Sequence, residues 1–302
     1  MFLTYTGMET DLLFTKGVAL PGFASYPLLD HAEGRALLRQ YYNDMIQLGA
    51  THGVGVILES ATWVASRDRG AALGHSPEDL QSKNRAALVL MDQIRTEHSG
   101  GPIVLSANIG PRADAYAPAS QMTVNEAAQY HAEQIKTLSG TPADMISAYT
   151  IAYPEEAIGM VMAARKYAVP IVVAFTVEVD GRLPTGVPLG EAIMQVDNAT
   201  DHYASYFMIN CAHPDHFDFV LSPDPQTAPW KTRLKGLVAN ASRCRHAELD
   251  EATTLDDGNP KELAAQLSAL HRAHPTLTVL GGCCGTDMRH MTAIAERVSG
   301  VS

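Results

Sequence analysis

Thr278-Val279-Leu280-Gly281-Gly282-Cys283-Cys284-Gly285-Thr286 condenses a strand, a turn and a helix start into one short stretch. The apolar run Thr278 to Leu280 breaks on two glycines, carries a vicinal cysteine pair and ends at Thr286, a residue suited to cap a following helix. The same grammar recurs upstream. Apolar runs at Phe2 to Tyr5, Gly53 to Leu58, Ile103 to Ala107, Met145 to Ala148, Ile171 to Phe175, Tyr206 to Ile209 and Gly236 to Ala239 predict seven more strands. Between them lie segments of helical spacing, such as Leu37, Leu38, Tyr41, Tyr42, Met45 and Ile46. Thr123-Val124-Asn125-Glu126 has capping-box form, and Pro154-Glu155-Glu156 places a proline and two acids in a first turn. Continuous apolar strands alternating with amphipathic helices predict an α/β fold, a single (β/α)8 TIM-type barrel over residues 1–302. A doubly wound open sheet also fits the alternation, but no glycine-rich dinucleotide fingerprint follows the first strand. Asp215 to Trp230, with three prolines, reads as a loop, and the acidic stretch 242–260 as a surface excursion or lid.

The composition narrows the function class. A formal charge of −11 and a pI near 5.5, without clustered Lys and Arg, argue against nucleic acid or an anionic membrane as partner. No apolar run approaches the ~20 residues of a membrane span, and Phe2-Leu3-Thr4-Tyr5-Thr6-Gly7 lacks signal-peptide character. A cytoplasmic protein acting on small molecules is expected, with a homo-oligomer left open. Four cysteines in 302 residues suit a reducing compartment, where a cysteine cluster more often binds metal or acts in catalysis than forms structural disulfides.

Three of those cysteines end strand-like runs. Cys211 follows Ile209-Asn210 at the end of the sixth strand, and Cys283 and Cys284 end the eighth. In a barrel these ends open on one face, so three thiolates can converge on a soft cation, for which Zn2+ is the natural choice. An internal disulfide between adjacent cysteines is poorly suited, since their Cα atoms lie only about 3.8 Å apart. Burial as small core hydrophobes and a redox role are the other readings. Cys244, between two arginines, reads as an incidental thiol, and His213 and His216 as neighbours of the site or surface groups. Glu59, Glu178 and Asn240 at strand ends could hold polar parts of substrates, and Trp63, Tyr153 and Phe175 could form an aromatic wall for an onium methyl.

Asn210-Cys211 and Gly281-Gly282-Cys283-Cys284-Gly285-Thr286 resemble the two zinc-ligand motifs of the homocysteine S-methyltransferase family. Further likeness runs through Gly7-Met8-Glu9-Thr10, Thr62 with Ala65-Ser66, Asn108-Ile109-Gly110-Pro111, and Ser147-Ala148 with Glu155-Glu156-Ala157. The resemblance implies a zinc-dependent barrel methyltransferase. Cys211, Cys283 and Cys284 would be its metal ligands, with substrate contacts from Glu9, Thr62 and Asn108. Its partners would be a thiol acceptor, homocysteine by family habit, and an onium methyl donor such as S-methylmethionine, S-adenosylmethionine or a betaine. Methyl transfer to another thiol or a selenol, and a non-catalytic zinc or small-molecule-binding barrel, are the rival readings.

One departure bears on the acceptor. Where the family usually offers an aspartate on the first strand and a glutamate on the fourth, which grip the amino group of homocysteine, this chain has Tyr5 and Tyr149. A phenol carries no charge at neutral pH. The substitution predicts weakened or redirected recognition of the acceptor's ammonium group unless Glu9 or Glu59 replaces the lost anchor.

Overall fold

The computed structural model describes residues 1–116, 120–221 and 228–299. Eight parallel strands close into a barrel in sequence order: β1 (Phe2–Thr4), β2 (Gly55–Glu59), β3 (Ile103–Ile109), β4 (Met145–Ile151), β5 (Ile171–Phe175), β6 (Phe207–Asn210), β7 (Leu234–Ala239) and β8 (Val279–Gly282). Closure is made by β1 against β8, with Leu3 beside Leu280 and Thr4 beside Gly281. The TIM-type barrel expected from the alternation is the observed fold, and the open sheet is excluded by this pairing.

Among the described residues seven long helices cover the outside: α1 (Ala32–His52), α2 (Pro77–Glu97), α3 (Val124–Leu138), α4 (Pro154–Lys166), α5 (Leu189–Ala199), α6 (Pro260–Ala273) and α7 (Met288–Val298). Their starts follow local chemistry. Ser76 and Asp79 form the capping box of α2, Thr123 and Glu126 that of α3, and Pro154 opens α4. The expected cap of the last helix is corrected: Asp287, not Thr286, accepts from the Arg289 backbone N–H at the start of α7. Among the described residues no helix is long and apolar enough to cross a membrane.

The sixth crossover differs from the others. Asp215 to Trp230 is not a plain loop: Pro214–His216 and Pro229–Thr232 form 3-10 turns and Asp218–Leu221 one helical turn, while 222–227 lie outside the described residues. Strand boundaries also move. Gly53 does not begin β2 but ends α1 in a left-handed conformation (φ 65°), where its N–H reaches the Ala50 carbonyl. β4 runs past the apolar segment to Ile151, with a register shift after Ala148.

Two apolar layers hold the barrel. The larger lies between strands and helices and includes Leu3, Phe175, Phe207 and Leu280; the smaller fills the interior with Ile57, Met145, Val172, Met208, Val238 and Val279. Cys211, Cys283 and Tyr149 belong to the interior group, so the strand-end cysteines face inward. The β1–β8 closure leaves no room for a side chain at position 281. A Cβ there would stand 2.0 Å from the Thr4 carbonyl oxygen. Gly281→Ala is therefore expected to lower stability by about 1–3 kcal/mol, the usual effect of overpacking, read from the midpoint of urea unfolding.

Candidate metal centre

Two turns aim the three sulfurs at one point. At the end of β6, Cys211 has φ 55°, a left-handed conformation unusual for a side chain bearing a Cβ. It is braced on both sides. The Cys211 N–H donates to the Val238 carbonyl (3.0 Å), while Asn210 accepts from the Thr150 N–H (2.9 Å) and donates to Thr150 Oγ1 (2.8 Å). Thr150 is itself left-handed (φ 63°), so two strained residues on β4 and β6 hold each other through one amide.

After β8, the Cys283 N–H donates to the Ala239 carbonyl (2.7 Å) and the Cys284 carbonyl accepts from Ala241 (3.0 Å). Thr286, freed from capping α7, points into this turn: its hydroxyl donates to the Cys283 carbonyl (2.7 Å) and accepts from the Gly7 N–H (2.9 Å). The cysteine turn is thereby fastened to the first strand's exit.

The sulfurs of Cys211, Cys283 and Cys284 lie within 4.8 Å of one another, with Cys211 and Cys284 3.6 Å apart. This spacing and donor set fit a thiophilic cation. Cys244 stands outside the group. Hydrogen bonds from Cys283 and Cys284 hold the Cys211 thiol well below its ordinary value, with further help from the nearby His246 and Tyr116. Cys283 and Cys284, as the partners sharing those bonds with Cys211, are raised.

Two residues that the sequence did not single out complete the surroundings. The Tyr116 hydroxyl lies 2.8 Å from Cys211 Sγ, and its ring stacks on His246 at 4.1 Å. His246, in a helical turn (His246–Asp250) of the 242–260 excursion, donates from Nε2 to the Cys211 carbonyl (2.6 Å) and from Nδ1 to Glu178 (2.9 Å). Burial lowers its pKa, but Glu178 and the Cys211 groups outweigh this and raise it. Loops after β3, β5 and β7 thus meet over Cys211. No spacing in the sequence signals this, because loop residues are brought together only by the closed barrel.

The sulfurs border two adjoining spaces. An inner cavity of about 50 Å3 is bounded by the three cysteines and, opposite in sequence origin, by Tyr5, Glu9, Asn108 and Tyr149. An outer one of about 390 Å3 is lined by Leu13, Phe14, Leu249, Asn240 and Asp256 among others. Cys284, Phe23, Trp63 and Tyr116 border both.

The remaining expected residues are distributed unevenly. Thr62 is fully buried and donates to the Asn108 carbonyl (2.7 Å), bracing the inner wall without lining it. Glu178 serves His246, and Glu59 sits behind Tyr149. Of the aromatic wall, Trp63 borders the cavities. Tyr153 does not, since its hydroxyl accepts from the Met122 N–H, and Phe175 stacks on Phe207 in the outer layer. Phe23 and Tyr116 border the cavities in their place. His213 is buried and accepts from the Asp215 N–H, while His216 donates to the Arg243 carbonyl; neither joins the sulfur group.

A family model described as homocysteine S-methyltransferase matches residues 6–298. The chain belongs to the homocysteine S-methyltransferase family. No curated protein matches the sequence significantly. Solved structures of the homocysteine methyltransferase MmuM from Escherichia coli share the fold. Its metallated form has a TM-score of 0.77 at 18% identity over 98% of this chain and 95% of that one. Its oxidized form gives 0.76 at 18% identity with the same coverage, and its apo form 0.69 at 17% over 98% and 94%.

Glu59 provides an electrostatic check on the site's interior. Burial raises its carboxyl from 4.5 to about 7, against the opposing pull of hydroxyls from Ser106, Ser147, Tyr149 and Thr4. The folded protein keeps this proton up to about pH 7, whereas the unfolded chain releases it near 4.5, so the group's contribution to stability is lost as pH rises through that window. Wild type should therefore lose up to about 3 kcal/mol relative to Glu59→Gln between about pH 5 and pH 8. Urea unfolding of both proteins at the two pH values measures it; a pH-independent difference contradicts the assignment.

Proposed function

We propose that this family member is a cytoplasmic, zinc-dependent S-methyltransferase that moves a methyl group from an onium donor to a thiol, with homocysteine as acceptor and methionine as product. The observation that carries the reading is the convergence of Cys211, Cys283 and Cys284 within 4.8 Å at the wall of a cavity. Zinc held by three thiolates supplies a means of keeping an acceptor thiol deprotonated and nucleophilic at neutral pH.

The chain's own residues supply position. Asn210 and Thr286 fix the two turns that present the cysteines, and Tyr116 and His246 hold Cys211 from the loop side. The inner cavity suits the acceptor, because it joins the sulfurs to polar groups. The larger outer cavity suits a donor such as S-methylmethionine, S-adenosylmethionine or a betaine. Its aromatic border of Phe23, Trp63 and Tyr116 favours a cationic methyl group through cation–π attraction. Attack of the acceptor sulfur on the donor methyl forms one S–C bond and breaks the onium C–S or C–N bond; the electron pair leaves with the neutral donor product. Holding both partners along this line contributes orientation.

Single changes Cys211→Ala, Cys283→Ala and Cys284→Ala should each remove bound zinc, read by metal analysis after dialysis, and abolish methyl transfer from S-methylmethionine to homocysteine. Cys244→Ala should preserve both. Full zinc content in Cys284→Ala refutes the ligand set, and zinc-loaded wild type that methylates no thiol with any of the three donor classes refutes the reaction.

A further inference from the structure

Two buried carboxyl groups beside the inner cavity have no counter-charge of their own. Glu9, 5% exposed, lines the cavity and accepts from the Tyr5 hydroxyl and from Ser25 Oγ (2.8 Å). Glu59, 4% exposed, accepts at Oε1 from the Tyr149 hydroxyl (3.2 Å), Ser147 Oγ (3.1 Å) and Thr4 Oγ1 (3.4 Å), while its Oε2 has no hydrogen-bond partner. Every side chain bonded to either carboxyl offers a neutral hydroxyl, and Glu9 has one further bond from a backbone N–H. Among the described residues no Lys, Arg or His pairs with them.

Such an arrangement costs stability. A buried carboxylate is tolerated when a cation faces it, and a fold that keeps two at one cavity without such a cation leaves the charge to be supplied by a ligand. The phenol protons sharpen the point. Tyr5 and Tyr149 line the cavity and each gives its single proton to a carboxyl, so each hydroxyl has only lone pairs left to offer a ligand. The two rings are neighbours, 6.0 Å between centroids and tilted by 43°. This part of the cavity wall therefore accepts hydrogen bonds and attracts positive charge.

We propose that Tyr5 with Glu9, and Tyr149 with Glu59, form the recognition site for the ammonium group of an aminothiol acceptor, Glu9 meeting it directly and Glu59 acting through Tyr149. The inference rests on the thiol-acceptor reading above. It takes up the condition set by the sequence, that Glu9 or Glu59 replaces the lost anchor, with the charge carried by the glutamate that each tyrosine contacts. Burial raises both carboxyls, and an arriving cation favours their ionised form. An onium donor is also cationic, but its methyl must face the acceptor sulfur from the outer cavity, which leaves this wall to the acceptor.

The test is calorimetric binding to zinc-loaded protein without any donor, using homocysteine and 4-mercaptobutanoate, which differ only in the amino group. Wild type should bind homocysteine at least about tenfold more tightly, the effect of one charge-assisted hydrogen bond. Glu9→Gln and Glu59→Gln should each shrink that ratio while leaving 4-mercaptobutanoate affinity and zinc content unchanged. Tyr5→Phe and Tyr149→Phe should shrink it too, and they carry the test if a glutamine variant does not fold. A wild-type ratio near one, equal weakening of both thiols in the variants, or no binding of either thiol overturns the proposal. Homocysteine-selective binding without methyl transfer would sink the methyltransferase reading and leave the ammonium site standing.

Discussion

Side chains on adjacent positions of a strand point to opposite faces, so bringing Cys283 and Cys284 to one point with Cys211 requires the regular backbone to stop at the right residues. The barrel meets this constraint through close backbone approaches rather than through the cysteines themselves. Gly281 lies against the Thr4 carbonyl at the β1–β8 seam, and a Cβ at Gly282 would meet Thr286 Oγ1 at 2.2 Å. The turn can then descend into the mouth while Thr286 bonds across it. Cys211 reaches the same point by a left-handed backbone, balanced by the equally unusual Thr150 on β4. The sulfur cluster thus depends on closure of the whole sheet, since β8 is positioned by β1 and β7, and β6 by β4's Thr150 and by β7.

How far the sequence announced this can be argued residue by residue. The alternation of apolar runs and amphipathic helices is a short-range signal, and eight such runs leave a closed parallel barrel as the economical solution. The cysteines were legible for the same reason, since each follows a strand whose end is marked by Asn or Gly. Boundaries were less so. Gly53 reads equally as the start of an apolar run and as a helix-ending glycine, and only the left-handed conformation decides. Thr286 and Asp287 are adjacent residues with comparable capping ability, so a signal accurate to one position cannot separate them. The polar residues Tyr149 and Thr150 hid the true length of β4, because they border the interior cavity instead of extending the apolar run.

Tyr116 and His246 mark the deeper limit. They are distant in sequence, sit in loops after different strands, and touch each other and Cys211 only because the strand ends share one face. Neither lies in a motif. The excursion 242–260 accordingly does more than decorate the surface: its buried His246 ties the β7 loop to Glu178 after β5 and to the backbone of Cys211. A change in that excursion would be felt at the sulfur cluster through two hydrogen bonds and a stacked ring.

The pairing of each tyrosine with a glutamate gives the proposed ammonium site its charge without a carboxylate at positions 5 and 149. Tyr5 and Tyr149 occupy positions at the cavity wall, but an isolated phenol there would present a rotatable hydroxyl, able to donate or accept. Bonding them to Glu9 and Glu59 fixes the proton's direction once the carboxyls ionise, a state that an arriving cation favours. Glu9 lies four residues after Tyr5, on the short helical turn Met8–Thr10 that leaves β1, while Glu59 ends β2, whose neighbour β1 supplies Thr4 to the same carboxyl. Both acids therefore come from the first two βα units, on the side of the mouth where β8 and its cysteine turn join β1. For the proposed acceptor, sulfur and ammonium recognition then converge on the same seam that closes the barrel.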